Sequence, residues 1–583
     1  MNRRDFLGLA GGSALASQIA RRIEAQEAPA GLRFINRKAG THPFRTRQGS
    51  RRPNIFLITV DMVSPDHWHP SRSLWREMDL PAIRALAADS TAFHNAFCAS
   101  PLCAPARAAL ATGRYTYITA NGERAHDGHE TILRPSDVIF QEYLKATGYK
   151  TKHVGKGHLG TQKFMDAFDE NDNAWDRWAP PIHDDELYLA DLRRMGVKPQ
   201  RYRKEIQGMQ QDRRTPYASL GGWIEQGDGK PFPIEAQYSH HLARRAIEKL
   251  DAALGVGSQS AIRNLSRRSR DPQSEIPSTE PIYLQIDFFD PHQPFSIPAG
   301  FEQRQKQLRA AFALPESYEK VRARDWRPAP GEPKIYDFYR KAWGLYDPET
   351  VRDYRVANAL QMEIVDRAIG TFIRALKERR LYDESLIVFT ADHGEMNGRR
   401  AVVDKGVYLF PDVLRVPLVV KLPASWGLWP HTVDQPVCHL DIAPTLLAVT
   451  GIEPEERLDG RSLLPHLEGK PPVEDRDLLF ECGWHTGVNF ACGTQARDRD
   501  GRHFLYSYNL SSDVDELYDL SSTDAENLAA NPEYAAQHKQ MVARLGVVLE
   551  KDPRWIGYWH SFRIDHYFDL PRPAGDPQMF RPI

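Results

Sequence analysis

Several apolar runs, two of them followed at once by residues that can do chemistry, constrain this chain more than any other feature. Residues 54–60 (NIFLITV) lead into Asp61, and residues 385–390 lead into Asp392 and His393. Continuous β-branched and apolar runs are typical of strands buried on both faces of a parallel sheet. Further apolar runs and amphipathic stretches alternate along the chain, and predict an α/β fold. The predicted helices are 80–88 and 136–147, and the remaining predicted strands are 150–154, 281–289 and 416–422.

The length of 583 residues exceeds what one compact core normally holds, so we expect one large and one small domain. The 76 basic side chains nearly balance the 77 acidic ones, which argues against a nucleic-acid-binding protein but leaves room for a small basic pocket. Residues 502–520 alternate aromatic and polar side chains, as short antiparallel strands do. We therefore place the large domain at 52–452 and a small C-terminal α+β subdomain at 453–583, with polar surface insertions at 175–230 and 255–280.

The N-terminus has the pattern of an export signal. Arg3 and Arg4 precede an apolar stretch, residues 6–20, that is too short to span a bilayer comfortably. Residues 1–30 are therefore predicted to be a twin-arginine signal peptide, which would place the mature protein in the periplasm. Because no later run reaches about 18 apolar residues, we expect no membrane span in the mature form.

Cys103 opens the most specific motif in the chain. Residues 103–114 read CAPARAALATGR, with a proline, an arginine and a closing Thr-Gly-Arg at fixed offsets from the cysteine. This segment resembles the signature of the sulfatase family, in which a modifying enzyme oxidises the cysteine to formylglycine. The resemblance implies an alkaline-phosphatase-like fold with a mixed, mostly parallel sheet, and a formylglycine-generating enzyme as a partner. The odd number of cysteines, five, argues against a complete disulfide set, although Cys482 and Cys492 could pair.

An aldehyde suits sulfate transfer better than a thiol, since thiol attack on sulfur would leave a product without an easy route to release sulfate. The hydrated aldehyde has two hydroxyls on one carbon. One attacks sulfur, and the other, once deprotonated, collapses to the aldehyde and expels sulfate. The resemblance implies that Arg107 steadies this group. It also implies that Lys156 holds a sulfate oxygen and that His158 is the base, because both stand in a family-like Lys-x-His-Leu-Gly segment.

A divalent cation would make the attacking hydroxyl acidic and neutralise the sulfate oxygens. The predicted ligands are Asp61, Asp392, His393 and the modified residue 103. Met62 stands where many family members have a second acidic or amide ligand, so coordination could be sparser here. Ca²⁺ is expected on family grounds, with Mn²⁺ or Mg²⁺ as alternatives because His393 offers a nitrogen.

Two further segments complete the predicted catalytic set. Residues 290–294 (DPHQP) resemble the family's Pro-His-x-Pro stretch, which makes His292 the candidate acid that protonates the departing alcohol. Lys405 matches the family's second pocket lysine and would bridge sulfate and the leaving oxygen. Gly157 and Arg400 depart from the family pattern, and Arg400 could alter which substrate is accepted.

Residues 515–520 (DELYDL) and 526–529 (ENLA) are similar to C-terminal motifs of the family, so the resemblance covers about residues 53–530. It implies a hydrolase that cleaves a sulfate monoester of a small molecule or carbohydrate. A phosphonate monoester or phosphodiester hydrolase is the alternative, since these relatives share the formylglycine motif and often an Asp-His pair. A catalytically silent binding protein with the same fold is the second alternative, which Met62, Gly157 and Arg400 keep open.

Overall fold

The computed structural model describes residues 32–37, 40–47, 52–115, 133, 136–159, 161–175, 179–180, 182–255, 280–470, 475–486, 488–509 and 514–550. The strands are β1 (Leu32–Arg37), β2 (Gly40–Thr46), β3 (Asn54–Val60), β4 (Thr91–Phe93), β5 (Ala96–Phe97), β6 (Lys150–Lys156), β7 (Glu170–Trp175), β8 (Gln200–Met209), β9 (Pro216–Gln226), β10 (Ile282–Phe288), β11 (Phe295–Ile297), β12 (Ser385–Ala391), β13 (Leu418–Lys421), β14 (Thr432–Val433), β15 (Val437–Cys438), β16 (Ile452–Pro454), β17 (Leu478–Trp484), β18 (Val488–Arg497), β19 (His503–Asn509) and β20 (Glu516–Asp519). The α-helices are α1 (Pro81–Ala88), α2 (Cys103–Thr112), α3 (Phe140–Ala146), α4 (Thr161–Asp166), α5 (Glu186–Met195), α6 (Tyr238–Ala253), α7 (Glu302–Ala311), α8 (Glu316–Ala323), α9 (Lys334–Trp343), α10 (Pro348–Glu378), α11 (Pro411–Leu414), α12 (Ile442–Thr450), α13 (Leu464–Leu467) and α14 (Ala535–Glu550).

An eight-stranded sheet with the order β14-β4-β13-β12-β3-β10-β6-β7 forms the centre of the fold. Strands β12, β3, β10, β6 and β7 run parallel, and β13 is antiparallel to β12 and to β4. Every residue of β10 and β12 is buried, as expected where helices cover both faces of a parallel sheet. The 31-residue helix α10 packs against α1 and α6 over this sheet. The predicted mixed, mostly parallel α/β fold is confirmed.

The predicted strands of the central sheet are all present. The run at 54–60 has the same bounds as β3. The run at 281–289 extends one residue beyond each end of β10, and the run at 385–390 is one residue shorter than β12. The helix predicted at 136–147 begins only at residue 140. The reason is a cap, since the backbone N–H of Ile139 donates to Glu142 Oε2 at 3.1 Å and stops the helix from extending backward.

The polar surface insertion predicted at 175–230 contains regular secondary structure. This segment contains α5 and the antiparallel pair β8–β9, and β9 also runs parallel to β11. Most residues of β8 are exposed or half-buried, so the strand lacks the apolar alternation by which sequence reasoning finds strands. Most of the insertion predicted at 255–280, and the whole signal peptide predicted at 1–30, lie outside the described residues.

The C-terminal part of the chain contains a four-stranded antiparallel sheet, β17-β18-β19-β20, packed against α14. This agrees with the antiparallel strands predicted within 502–520; the domain boundaries themselves stay a prediction. The possible pairing of Cys482 with Cys492 is not present, because neither cysteine forms a disulfide. Cys482 lies opposite Ala491 in the ladder, and the two cysteines belong to hydrophobic clusters on opposite faces of the sheet. Within the described ranges, no helix is both long and apolar enough to cross a membrane.

Candidate active site

Four neighbouring parallel strands bring the predicted site together. Strands β12, β3, β10 and β6 all end at the same edge of the sheet, in the register Ala391 beside Val60 and Phe288 beside Val60. Asp392 directly follows β12 and Asp61 directly follows β3. Lys156 is the last residue of β6, and the segment with His292 follows β10. The carboxyl edge of a parallel sheet is where such folds bind ligands.

Cys103 is the first residue of helix α2, and it is fully buried. Its Sγ atom lies 3.2 Å from His393 Nε2 and 3.8 Å from Asp61 Oδ1. Together with a carboxylate oxygen of Asp392, these donor atoms all lie within 4.8 Å of one another. The structure thus brings all four predicted metal ligands into one buried cluster, with Sγ standing in for an oxygen of the modified residue.

The hydrogen bonds around this cluster orient its donor atoms as a cation would need. Ring Nδ1 of His393 lies 2.9 Å from the Gly394 carbonyl, which only accepts, so Nδ1 carries the proton and the lone pair of Nε2 points into the cluster. Asp392 Oδ1 accepts from the backbone N–H groups of Met62 and His393 at 3.0 and 2.8 Å. Two carboxylates, one imidazole and residue 103 therefore fit a divalent cation.

The pKa shifts of Asp392 and His393 also indicate that the cluster favours a positive charge. Burial and the charge of Asp61 raise the pKa of Asp392. Burial alone would lower the pKa of His393, but the charges of Asp392 and Cys103 raise it to about 9. A cation placed between these groups would relieve the repulsion between two buried carboxylates, which otherwise costs free energy.

Arg107 bridges the acidic groups of the cluster. Its Nε donates to Asp392 Oδ2 at 3.0 Å, Nη2 to Asp61 Oδ2 at 3.3 Å, and Nη1 to the Lys156 carbonyl at 2.8 Å. Lys156 Nζ donates to the same Asp61 oxygen at 2.5 Å and is fully buried. Burial and Cys103 oppose ionisation of Asp61, yet Lys156, His292 and Arg107 together lower its pKa to about 2. Asp61 is therefore ionised at neutral pH.

His292 and Lys405 form a second buried pair beside the cysteine. Ring Nδ1 of His292 donates to the Gln293 carbonyl, which leaves Nε2 to accept from the ammonium group of Lys405. The ring is also within hydrogen-bonding reach of Cys103. Burial and the Lys405 charge lower the pKa of His292, so the ring is neutral and the proton of the pair resides on the lysine.

His158 lies in the loop that leaves β6, two residues beyond Lys156, and it is 1% exposed. Its φ of 55° is in the left-handed region, an uncommon conformation for a non-glycine residue. The turn begins at Gly155, where φ is 106° and an added Cβ would lie 2.0 Å from the carbonyl oxygen of Asp287. Only glycine allows β6 and β10 to approach so closely at the point where Lys156 enters the site.

Sequence reasoning missed two acidic residues that support the site. Asp287, in β10, lies 3.5 Å from Arg107 Nη1 and 2.8 Å from His153 Nε2. Glu395 Oε1 accepts from the backbone N–H groups of Asn397 and Asp404, both at 2.8 Å, and so ties down the loop that carries Lys405. Sequence reasoning could have found Glu395 from its position, two residues after the predicted ligand His393.

The loop with Lys405 is also held from the C-terminal sheet. Asn489, on β18, donates from Nδ2 to the carbonyl of Val407 at 2.8 Å, and the backbone N–H of Val407 donates to Tyr339 Oη at 3.3 Å. Tyr339 in turn contacts His485 Nδ1 at 3.2 Å, in the connection between β17 and β18. The C-terminal sheet thus braces one wall of the site.

Arg400 does not reach the cluster. Its guanidinium lies over the rings of Tyr336, Phe410 and Tyr518 at 4.6, 5.1 and 5.3 Å, and pairs with Glu516 at 3.4 Å. Arg400 therefore packs against β20, and these contacts give it a structural role. Of the histidines that lie near the motif segments in the sequence, His67 and His69 are buried, and residues 126 and 129 lie outside the described ranges.

Comparison with protein families decides the assignment. The sulfatase model matches residues 53–452, more than half of the chain. The chain belongs to the sulfatase family. A second model, for the C-terminal part of N-sulphoglucosamine sulphohydrolase, matches residues 398–551 and overlaps the first. The sulfatase is therefore a hydrolase, in agreement with the resemblance seen in its motifs.

Curated relatives and solved structures agree with this family. A choline-sulfatase of Rhizobium meliloti is 27% identical over 532 residues, which cover 87% of this sulfatase and 91% of the relative. A phosphonate monoester hydrolase from Silicibacter pomeroyi superposes with a TM-score of 0.62 at 21% identity, over 86% and 96% of the two chains. A structure described as a complex with its substrate D-glucosamine-2-N,6-O-disulfate gives 0.56 at 17% identity, over 87% and 98%. These structures establish the fold.

Proposed function

We propose that this sulfatase hydrolyses a sulfate monoester, with formylglycine made from Cys103 as its nucleophile. The observation that carries the proposal is the position of Cys103, whose Sγ lies 3.2 Å from His393 Nε2 and 3.8 Å from Asp61 Oδ1. Arg107, Lys156, His292 and Lys405 surround the same point, and each is at most 5% exposed. Such a dense cationic rim around a nucleophile suits a small tetrahedral anion.

The two lysines, Lys156 and Lys405, would bind the sulfate group. The ammonium group of Lys156 contacts Asp61, and that of Lys405 contacts His292, two residues that lie beside Cys103. Each lysine would donate to a sulfate oxygen and so hold sulfur in line with one hydroxyl of the hydrated aldehyde. Arg107 keeps Asp392 and Asp61 in place and orients the carbonyl of Lys156.

Transfer and release then use two different protons. One hydroxyl gives its proton to solvent and its oxygen attacks sulfur, and the bond from sulfur to the alcohol oxygen breaks. The departing alkoxide takes up a proton from the Lys405–His292 pair, which solvent later reprotonates. In the second step His158 removes the proton of the remaining hydroxyl. The electron pair forms the aldehyde C=O while the bond between carbon and the sulfate oxygen breaks. Water then hydrates the aldehyde and restores the nucleophile.

Asp61, Asp392, His393 and residue 103 would hold a divalent cation, which we propose to be Ca²⁺, with Mn²⁺ or Mg²⁺ as alternatives. When bound, the ion would lower the pKa of the attacking hydroxyl and neutralise charge on sulfate. Met62 contributes its backbone N–H to Asp392 rather than a ligand, which supports a site with few protein ligands.

The substrate we propose is a sulfated small molecule or carbohydrate, as the names of the relatives suggest. These include a choline-sulfatase and an N-acetylglucosamine-6-O-sulfatase, the second from Bacteroides thetaiotaomicron. We also propose export by the twin-arginine route through residues 1–30, followed by action in the periplasm. Replacing Arg3 and Arg4 by lysine should leave the chain in the cytoplasm, as measured by cell fractionation.

The test combines mass spectrometry with kinetics. The chain is produced together with a formylglycine-generating enzyme, and the peptide that contains Cys103 should show the mass of an aldehyde in place of CH₂SH. Cys103→Ala should abolish hydrolysis of an aryl sulfate, whereas Cys492→Ala, a change at a buried cysteine in the C-terminal cluster, should not. Complete retention of the thiol, or full activity of Cys103→Ala, would contradict the proposal.

A phosphonate monoester hydrolase is the second candidate. It is favoured by the fold similarity to two phosphonate monoester hydrolases, at TM-scores of 0.62 and 0.60. Tetrahedral sulfate and phosphonate present similar oxygens, so the same lysines would serve both. Rates on an aryl sulfate and on an aryl phosphonate monoester should be compared side by side. A kcat/KM at least about tenfold higher for the phosphonate, a difference of about 1.4 kcal/mol in barrier, would favour this candidate.

A further inference from the structure

A groove of about 870 Å³ lies between helices α1, α5, α6 and α10, away from the catalytic cluster. It borders Tyr382, just before β12 begins, whereas the catalytic residues follow the other end of that strand. Seven residues of strand span about 23 Å, so the groove and the catalytic cluster are separated by roughly the length of strand β12. A groove of this volume is in the range that holds a small organic ligand.

The rim of the groove has unbalanced positive charge. Arg367, Arg374 and Lys377 lie on one face of α10, at helical spacing. Their contacts are with the Phe301 ring at 5.0 Å, the Thr371 hydroxyl at 3.0 Å and the Tyr382 ring at 4.4 Å. None of the three forms an ion pair with a carboxylate in the described ranges.

The remaining charged groups of the groove are already engaged or exposed. Arg194 and Arg244 pair with Asp191 at 2.8 and 3.2 Å. The carboxylate of Asp366 accepts from the backbone N–H groups of Ala82 and Ile83 at 3.1 and 2.8 Å. Glu235 is exposed at the edge. The groove therefore holds two carboxylates, Glu235 and Asp366, but neither forms an ion pair with the three cations on α10 within the described residues.

His240 lines the groove, and one of its ring nitrogens lacks a hydrogen-bond partner in the described part of the chain. Its Nε2 is buried and has no hydrogen-bond partner among the described residues. Burial and the nearby charges of Arg244, Arg367 and Arg374 lower the pKa of His240 to about 4, although the charge of Glu235 acts in the opposite direction. A neutral imidazole can donate a hydrogen bond to an anion held between these arginines.

The floor of the groove is apolar and open. Ala82, Ala85 and Leu86 on α1 face Ile373 on α10, and Met195 is 37% exposed at one end. Gly370 lets the two helices approach, since an added Cβ would lie 3.2 Å from the Cβ of Ala82. An apolar floor below a cationic rim suits a ligand that has an apolar body and one negative group.

We propose that this groove binds a free amphipathic anion: an alkyl chain that carries one carboxylate or sulfate group. The head group would lie between Arg367, Arg374 and His240, and the chain would cover Ala85 and Ile373. The proposal is independent of the chemistry at Cys103. It assigns the sulfatase a second ligand site on the opposite end of the sheet.

The test is isothermal titration calorimetry of the full chain with decanoate, below the concentration at which decanoate forms micelles. We expect saturable binding, and at least tenfold weaker binding of decanol and of inorganic sulfate. The double variant Arg367→Ala/Arg374→Ala should bind decanoate at least tenfold more weakly. Ala85→Trp, which fills the groove from an exposed helix position, should abolish binding.

The matched control is Arg352→Ala, which removes a half-buried arginine of the same helix outside the groove. It should bind decanoate as the wild type does. Thermal unfolding and aryl sulfate hydrolysis of all variants should be unchanged, since none of the altered residues touches the catalytic cluster. Absence of saturable decanoate binding to the wild type would overturn the proposal, and so would equal affinity of the double variant or of decanol.

Discussion

The buried ion pair between Arg400 and Glu516 gives the sharpest prediction for stability. Arg400 is 8% exposed and Glu516 is fully buried, at a separation of 3.4 Å. Three aromatic rings lie within 5.3 Å of the guanidinium, so neither charge can be solvated by water. Replacement of Arg400 by methionine keeps the volume but leaves an acidic side chain buried without its cation.

The expected cost follows from that unpaired charge. Breaking one partner of a buried ion pair typically costs about 3–5 kcal/mol, and replacing both partners is often close to neutral. We therefore expect Arg400→Met to lower the free energy of unfolding by about 3–4 kcal/mol. Glu516→Gln should cost less, about 1–2 kcal/mol, because the Arg400 guanidinium keeps its three cation–π contacts and the amide oxygen of glutamine can still accept from it. The double variant should be more stable than Arg400→Met alone.

The measurement is urea unfolding of the three variants and the wild type, followed by tryptophan fluorescence, as a double-mutant cycle. Activity per folded molecule should stay the same in Arg400→Met, because none of the described contacts of Arg400 is with a proposed catalytic residue. A loss below about 1 kcal/mol, or a double variant with additive losses, would refute the reasoning that Arg400 serves Glu516. A changed substrate preference would instead restore a role in specificity.

Three other outcomes are expected. Dialysis against a chelator should abolish aryl sulfate hydrolysis, and added Ca²⁺ should restore it, with metal content measured by mass spectrometry; Asp392→Asn should hold at least tenfold less metal. Lys405→Met should lower kcat/KM by about 10²- to 10⁴-fold in steady-state assays, since it removes both a sulfate contact and a proton source. Burial and the charges of Arg497 and Arg415 lower the pKa of His503 to about 3, so the folded protein resists a proton that the unfolded chain takes up near pH 6.5. This contribution is complete above pH 6.5 and is lost as pH falls toward 3, by up to about 1.4 kcal/mol per pH unit, and urea unfolding of His503→Gln should show a flatter pH dependence.

The sequence predicted the placement of Asp61, Asp392 and His393 because one local rule sufficed. A continuous apolar run identifies a doubly buried strand, and parallel strands end at a common edge. The pairing of β12, β3, β10 and β6 as neighbours could not be read from any single run, since strand order depends on long-range packing. Cys103 required the family motif, because a cysteine at the start of a helix has no periodic signal of its own.

The failures also have physical causes. Strand β8 was missed because its mostly exposed or half-buried residues need no apolar alternation. The second half of β9 is buried, but this strand is completed by a parallel partner, β11, about 70 residues further on. Cys482 and Cys492 are close in sequence, yet a ladder places neighbouring register positions on opposite faces. Arg400 was noticed as a departure from the family, but only the aromatic cage shows what the side chain contacts.

The hydrogen bond from Asn489 to Val407 makes the loop that carries Lys405 depend on the C-terminal sheet. A chain cut after residue 452 would retain every proposed catalytic side chain, but it would lose the strand that supports the loop of Lys405. Exchange of C-terminal parts between family members would therefore succeed only when the incoming sheet can donate a hydrogen bond at the same place. The part of the chain up to residue 452 and the C-terminal sheet would therefore have to evolve together.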